Sequence, residues 1–197
     1  MKKLRIVAAL LAAATSPAFA DEVKYFANLS GAAEVVPNAS PATGSVMLTI
    51  DLDLLTMTVD TTFSGLTGTV TAAHIHCCTA MPNAGTAGVA SPLPSFPGFP
   101  TGVTSGSYMQ TFDLMLASSY SPAFLSANGG FAGSAFNGLL AGLDGGKAYL
   151  NIHTTEFAAG EIRGFLAPVP EPETWAMLLA GLGMVGWAAR RGHRAAV

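Results

Sequence analysis

Apolar and polar residues alternate one by one along much of this chain, and that period of two restricts what it can become. Val46, Leu48 and Ile50 fall on one side, with Met47, Thr49 and Asp51 on the other. Leu55, Met57 and Val59 then alternate with Thr56, Thr58 and Asp60. Side chains along an extended strand point to opposite faces in turn, so runs like these bury one face of a sheet. Asp51-Leu52-Asp53 reads as a tight turn joining the two runs into a hairpin. Further strands are predicted at Lys24–Leu29, Thr69–His76, Ser107–Leu114, Lys147–His153 and Glu161–Ala167. Seven or so short strands in one domain predict an all-β fold, an antiparallel β-sandwich or barrel-like domain with one or two short helices.

Two stretches break the alternation. Cys77 to Gly106 carries Pro82, Pro92, Pro94, Pro97 and Pro100 among many glycines and reads as a long connection, of a kind that is often functional or mobile. Phe96 and Phe99 would pin it to the core. Ser121 before Pro122 is a helix start, and Asn128-Gly129-Gly130 ends that helix. Ser134 to Leu143 can form a second, with Phe136, Leu139, Leu140 and Leu143 on one side.

Both ends of the chain fall outside this pattern. Met1-Lys2-Lys3-Leu4-Arg5, the apolar run after it and Ala18-Phe19-Ala20 have the layout of a secretory signal peptide, cleaved between Ala20 and Asp21. Such a segment implies passage through the Sec export machinery. At the other end, Pro170-Glu171-Pro172 precedes a charge-free run from Trp175 to Ala189, and Arg190 and Arg191 follow. The prolines prevent a helix across the triplet. The run of 15 residues is short of the roughly 20 a spanning helix needs, and the arginines would hold its end on the cytoplasmic side. Transient membrane insertion through a C-terminal hydrophobic helix is the expectation. This tail resembles the PEP-CTERM sorting signal of Gram-negative bacteria. The resemblance implies recognition and cleavage by an exosortase-type processing protease, with delivery to the cell envelope, surface or exopolysaccharide matrix. The division is therefore 1–20 signal peptide, 21–168 folded domain and 169–197 sorting signal.

Without its ends, the chain is acidic. Lys24, Lys147 and Arg163 face ten carboxylates between Asp21 and Pro168, a formal charge of −7. That balance argues against nucleic acid or anionic lipid as a partner of the domain. Cys77 and Cys78 are the only cysteines and are adjacent. In an oxidising compartment they form a vicinal disulfide, pair between chains or stay free, and a vicinal disulfide is favoured. As free thiols they could instead supply soft ligands to a metal.

Polar residues that could carry chemistry gather in two stripes. On a strand, His74 and His76 project together, with Ile75 opposite. Tyr149, Asn151 and His153 share a face likewise, with Thr154 next in sequence, and so do Glu161 and Arg163. If the two strands are neighbours, His74, His76 and His153 supply three nitrogens for copper or zinc. The competing reading gives these imidazoles hydrogen bonds to backbone, or to Asn151, Thr154 and Glu161, in a structural polar seam. Glu161 and Arg163 are placed for a lateral ion pair, or for pairing with Glu156 or Asp144. No nucleophile elbow is visible. Glu161 and Glu156 make a poor glycosidase pair, because aromatics to stack sugars are few and no cleft is evident.

These motifs carry a second resemblance. Leu29-Ser30-Gly31 with Glu34 and Pro37, then His74-Ile75-His76, Tyr149 to Thr154 and Gly160 to Gly164 resemble the CHRD domain, named for chordin and found in many bacterial secreted proteins. The sequence departs from that pattern at Cys77-Cys78, where a glycine-bearing loop is expected. The resemblance implies an extracellular β-sandwich module with no established enzymatic activity, and it brings no catalytic residues. The expectation is a non-enzymatic, surface-sorted module that binds or associates with envelope or exopolysaccharide components. The alternative is a copper or zinc protein. Its H-x-H pair with a third histidine resembles the copper–zinc superoxide dismutases, although no further histidine of the domain could hold a second metal. An adhesin bridged to polysaccharide by calcium is a third reading, with no dense Asp/Asn loop to support it.

Overall fold

Alternation becomes burial along every long strand. The computed structural model describes residues 21–170 and 179–185. Strand β1 (Glu22–Ser30) buries Tyr25, Ala27 and Leu29, β2 (Thr43–Asp51) buries Val46, Leu48 and Ile50, and β3 (Thr56–Ser64) buries Met57, Val59 and Phe63. The chain continues through β4 (Val70–His76), β5 (Gly106–Asp113), α1 (Pro122–Ala127), α2 (Ala132–Asp144), β6 (Tyr149–Thr154), β7 (Ile162–Phe165) and β8 (Ala167–Pro168). All strand pairs are antiparallel and belong to one sheet, in the order β4-β6-β7-β1-β2-β3-β5, with β8 beside β1. The all-β expectation holds in its barrel-like form, a curled half-barrel. The concave side is filled by the strand interiors, by Phe96 and Phe99 of the long connection, and by Phe124, Phe136, Leu139 and Leu143 of the helices.

Local chemistry accounts for most boundaries. Asp51 Oδ1 accepts from the main-chain N–H groups of Asp53 and Leu54, the local bonding that aspartate favours in turns. The β2–β3 turn covers residues 52–55, so Leu55 lies in the turn with φ 54° and not in the strand. Ser121 caps α1 by accepting from the Phe124 N–H, with Pro122 in the first turn. Helix α2 begins two residues before Ser134, whose hydroxyl bonds the Phe131 carbonyl.

The long connection is fastened to the molecule along the outer edge of β4. Ala90, Phe96 and Gly102 donate main-chain N–H to the carbonyls of Ile75, Ala73 and Val70. In return, Cys77 N–H and Val70 N–H reach the carbonyls of Gly88 and Val103. The hydroxyls of Ser91 and Ser95 take the N–H groups of Ile75 and Ala73. The edge strand therefore has its backbone satisfied by a segment that is itself neither helix nor strand.

No described helix is long and apolar enough to cross a membrane. Residues 179–185 are helical, with Leu179, Leu182, Met184 and Val185 exposed. Ala20, Glu171, Pro172, Arg190 and Arg191 lie outside the described residues. Asp21 and Pro170, both exposed, are the ends of the main described segment.

Candidate metal centre

Strand pairing brings the three histidines together. β4 lies against β6 with His76 opposite Tyr149, His74 opposite Asn151 and Ala72 opposite His153. The register is regular from His76 to Ala72, so His153 sits diagonally from His74 on the same face, and it shifts only beyond Ala72, toward Val70. The ring centroids lie 5.8 Å (His74–His76), 5.3 Å (His74–His153) and 5.8 Å (His76–His153) apart.

Each imidazole uses one nitrogen on a main-chain carbonyl. His74 Nε2 bonds the Pro94 carbonyl (2.6 Å), His76 Nδ1 that of Ala87 (3.0 Å) and His153 Nδ1 that of Ala158 (3.0 Å). A carbonyl only accepts, so the bonded nitrogen carries the proton and the other presents a lone pair. Those other atoms, His74 Nδ1, His76 Nε2 and His153 Nε2, are buried and have no hydrogen-bond partner among the described residues. One nitrogen from each ring can be chosen so that all three lie within 4.8 Å of one another. Burial holds all three histidines below the ordinary imidazole range, His76 at about 4, against the opposing pull of their carbonyl bonds. The neutral, lone-pair form is thus the native one. Nitrogens on a tetrahedral zinc at about 2.0–2.1 Å lie about 3.4 Å apart, so loading draws the rings inward by up to about 1.4 Å. Hydrogen bonding of the second nitrogen to a carbonyl is the usual way a protein fixes a ligating imidazole.

The expected partners Asn151, Thr154 and Glu161 do not bond the histidines. Thr154 and Glu161 belong to a separate network. Glu161 is fully buried, and its Oε1 accepts from the Ser40 hydroxyl (2.6 Å) and Thr67 N–H (2.6 Å). Its Oε2 accepts from the Thr154 hydroxyl (2.7 Å) and Gly68 N–H (3.2 Å). Burial alone would raise this carboxyl, but the donors from Ser40, Thr67, Thr154 and Gly68 outweigh it and hold it below the ordinary range. The expected ion pair with Arg163 is absent, because four donors already saturate the carboxylate.

Arg163 pairs elsewhere. Its Nε donates to the Ala33 carbonyl (2.5 Å) and Nη1 to that of Gly85 (2.9 Å), while Glu34 Oε2 lies 3.7 Å from Nε. The guanidinium also covers the rings of Tyr149 (4.9 Å) and Phe165 (5.3 Å), and Tyr149 stacks on His76 at 4.8 Å. Burial pushes Glu34 up to about 7, with Arg163 pulling the other way. In the sequence Glu34 stands out only as part of a family motif; its role depends on the path of residues 31–38, which no periodicity marks.

Cys77 and Cys78 are joined to each other in a disulfide. That removes them as thiolate ligands, correcting the reading that gave them to a metal. The sulfurs lie against Gly142 of α2, where a methyl group would overlap both. A cleft of about 250 Å³ opens beside His76, with Glu34, Asn151 and Arg163 in its wall, where no cleft was expected from sequence.

Fold and site together define an antiparallel β-domain with a neutral imidazole cluster held under a fastened connection. The chain belongs to the CHRD-domain family, whose model matches residues 25–166. Residues 168–192 match the PEP-CTERM protein-sorting motif. This motif, which exosortase recognises, marks an exported protein sorted to the cell envelope or surface. No curated protein and no solved structure matches the chain.

Proposed function

We propose that the domain is a non-enzymatic binding module of the envelope or surface, and that it binds one copper or zinc ion through His74, His76 and His153. The observation that carries this reading is the set of three buried, unpartnered ring nitrogens, each opposite a nitrogen anchored to backbone. A buried polar atom without a partner costs about 1–3 kcal/mol, and a cation satisfies all three at once. Neutral imidazole suits both copper and zinc.

A second reading rests on the same hydrogen bonds. The histidines fasten two stretches, the long connection at Ala87 and Pro94 and the β6–β7 loop at Ala158, and would do so with no ion bound. Metal content separates the two. The exported protein, purified without chelator or His-tag, is compared with a His74→Ala/His76→Ala variant. Near-stoichiometric copper or zinc, lost in the variant, is expected. No metal in the wild type, with the variant merely less stable, would refute the metal reading and leave the histidines as fasteners.

A further inference from the structure

The cleft beside the histidines contains polar groups whose needs differ from those of a metal. Glu34 and Arg163 have side chains only 8% and 5% exposed, and Asn151 is 3% exposed. Glu34 Oε1 and Asn151 Oδ1 are both buried and have no hydrogen-bond partner among the described residues. Arg163 spends Nε and Nη1 on carbonyls, and Nη2 makes no hydrogen bond among the described residues. Just behind the cleft surface the wall thus holds two oxygens with no hydrogen-bond partner among the described residues, beside a guanidinium with Nη2 free in the same sense.

Charge narrows the class of ligand. The Arg163 guanidinium repels ammonium groups and metal ions, while the Glu34 and Asn151 oxygens oppose an anion. A neutral hydroxyl both donates and accepts, so several on one small ring meet all three demands. The cleft, about 250 Å³, is smaller than the usual site for a drug-sized ligand, and the exposed apolar Val35 and Val36 line it. We propose that this cleft binds a neutral sugar residue, with Glu34 and Asn151 accepting from its hydroxyls and Arg163 donating to a hydroxyl oxygen. The proposal does not depend on the metal reading.

The test is an NMR titration of the exported protein with glucose, galactose and mannose, alongside acetate and ethylammonium. Saturable shifts confined to residues 34–36, 149–151 and 159–163 are expected for at least one of the sugars. Glu34→Gln and Arg163→Lys should each weaken binding about threefold or more, the loss of one hydrogen bond. Val36→Trp, a change at an exposed rim position, should block the cleft without disturbing its buried charges. It therefore serves if either of the other variants fails to fold. The proposal is overturned if no sugar gives saturable shifts, leaving only a solvent-filled cleft. It is equally overturned if acetate or ethylammonium binds in place of the sugars, or if sugar binding is unchanged in all three variants.

Discussion

Glu161→Gln isolates the energy of one buried carboxylate. Each of its oxygens takes one hydroxyl and one main-chain N–H: Ser40 and Thr67 on Oε1, Thr154 and Gly68 on Oε2. Glutamine fills the same volume but turns one oxygen into an NH₂. A facing hydroxyl can rotate to accept from that group, but a main-chain N–H cannot. Whichever way the amide lies, Thr67 or Gly68 is left with a donor facing a donor. One stranded buried N–H costs about 1–3 kcal/mol, and the remaining bonds lose the strength that an ionised acceptor gives them. The sum is about 3–5 kcal/mol, a large part of the 5–15 kcal/mol typical of a domain. Denaturant unfolding of both proteins at neutral pH measures it. The pH dependence adds a second check. This carboxyl sits below its ordinary value, so its stabilisation is present above the ordinary carboxyl range and is lost as pH falls through the folded value. The gap between the two proteins should therefore narrow in acid. A difference under about 1 kcal/mol at neutral pH, or a gap that widens on acidification, would refute the reasoning.

Two further outcomes follow from the same geometry. The metal-free protein should lose stability as pH falls from about 6.5 toward 4, because unfolded imidazoles take up protons that the buried ones refuse; pH-dependent unfolding should show a flatter slope for His76→Gln. Gly142→Ala should destabilise by about 1–3 kcal/mol, since the added methyl meets both sulfurs of the Cys77–Cys78 pair, and a thermal melt beside the exposed-position control Ala141→Ser should show it.

The strands were legible because each long one exposes a single face to the core, and a period of two survives in the sequence wherever that holds. His74, His76 and His153 were also legible as neighbours once their two strands were taken to pair. What could not be read was the hydrogen bonding that makes them a site. The carbonyls of Ala87 and Pro94 belong to a connection without periodicity, and its path is set by long-range bonds to β4. The register shift between Val70 and Ala72 was equally hidden, because a bulge leaves the alternation on either side intact. Glu161 misled for a related reason. Its nearest charge in sequence is Arg163, yet its actual partners come from residues 40, 67, 68 and 154. Burial of a carboxylate favours several fixed donors over one mobile cation.

The connection laid along β4 has a consequence for assembly. A sheet normally has two rims at which another chain can be added, and a molecule with two such rims can grow without limit. Here one rim is already occupied from within. β5 pairs with β3 on one side, and apart from its last residue Asp113, whose carbonyl takes the Leu116 N–H, no other strand pairs with it among the described residues. Among the described residues, edge-to-edge addition of another strand is therefore confined to the β5 rim, because the connection along β4 already takes the place such a strand would occupy there.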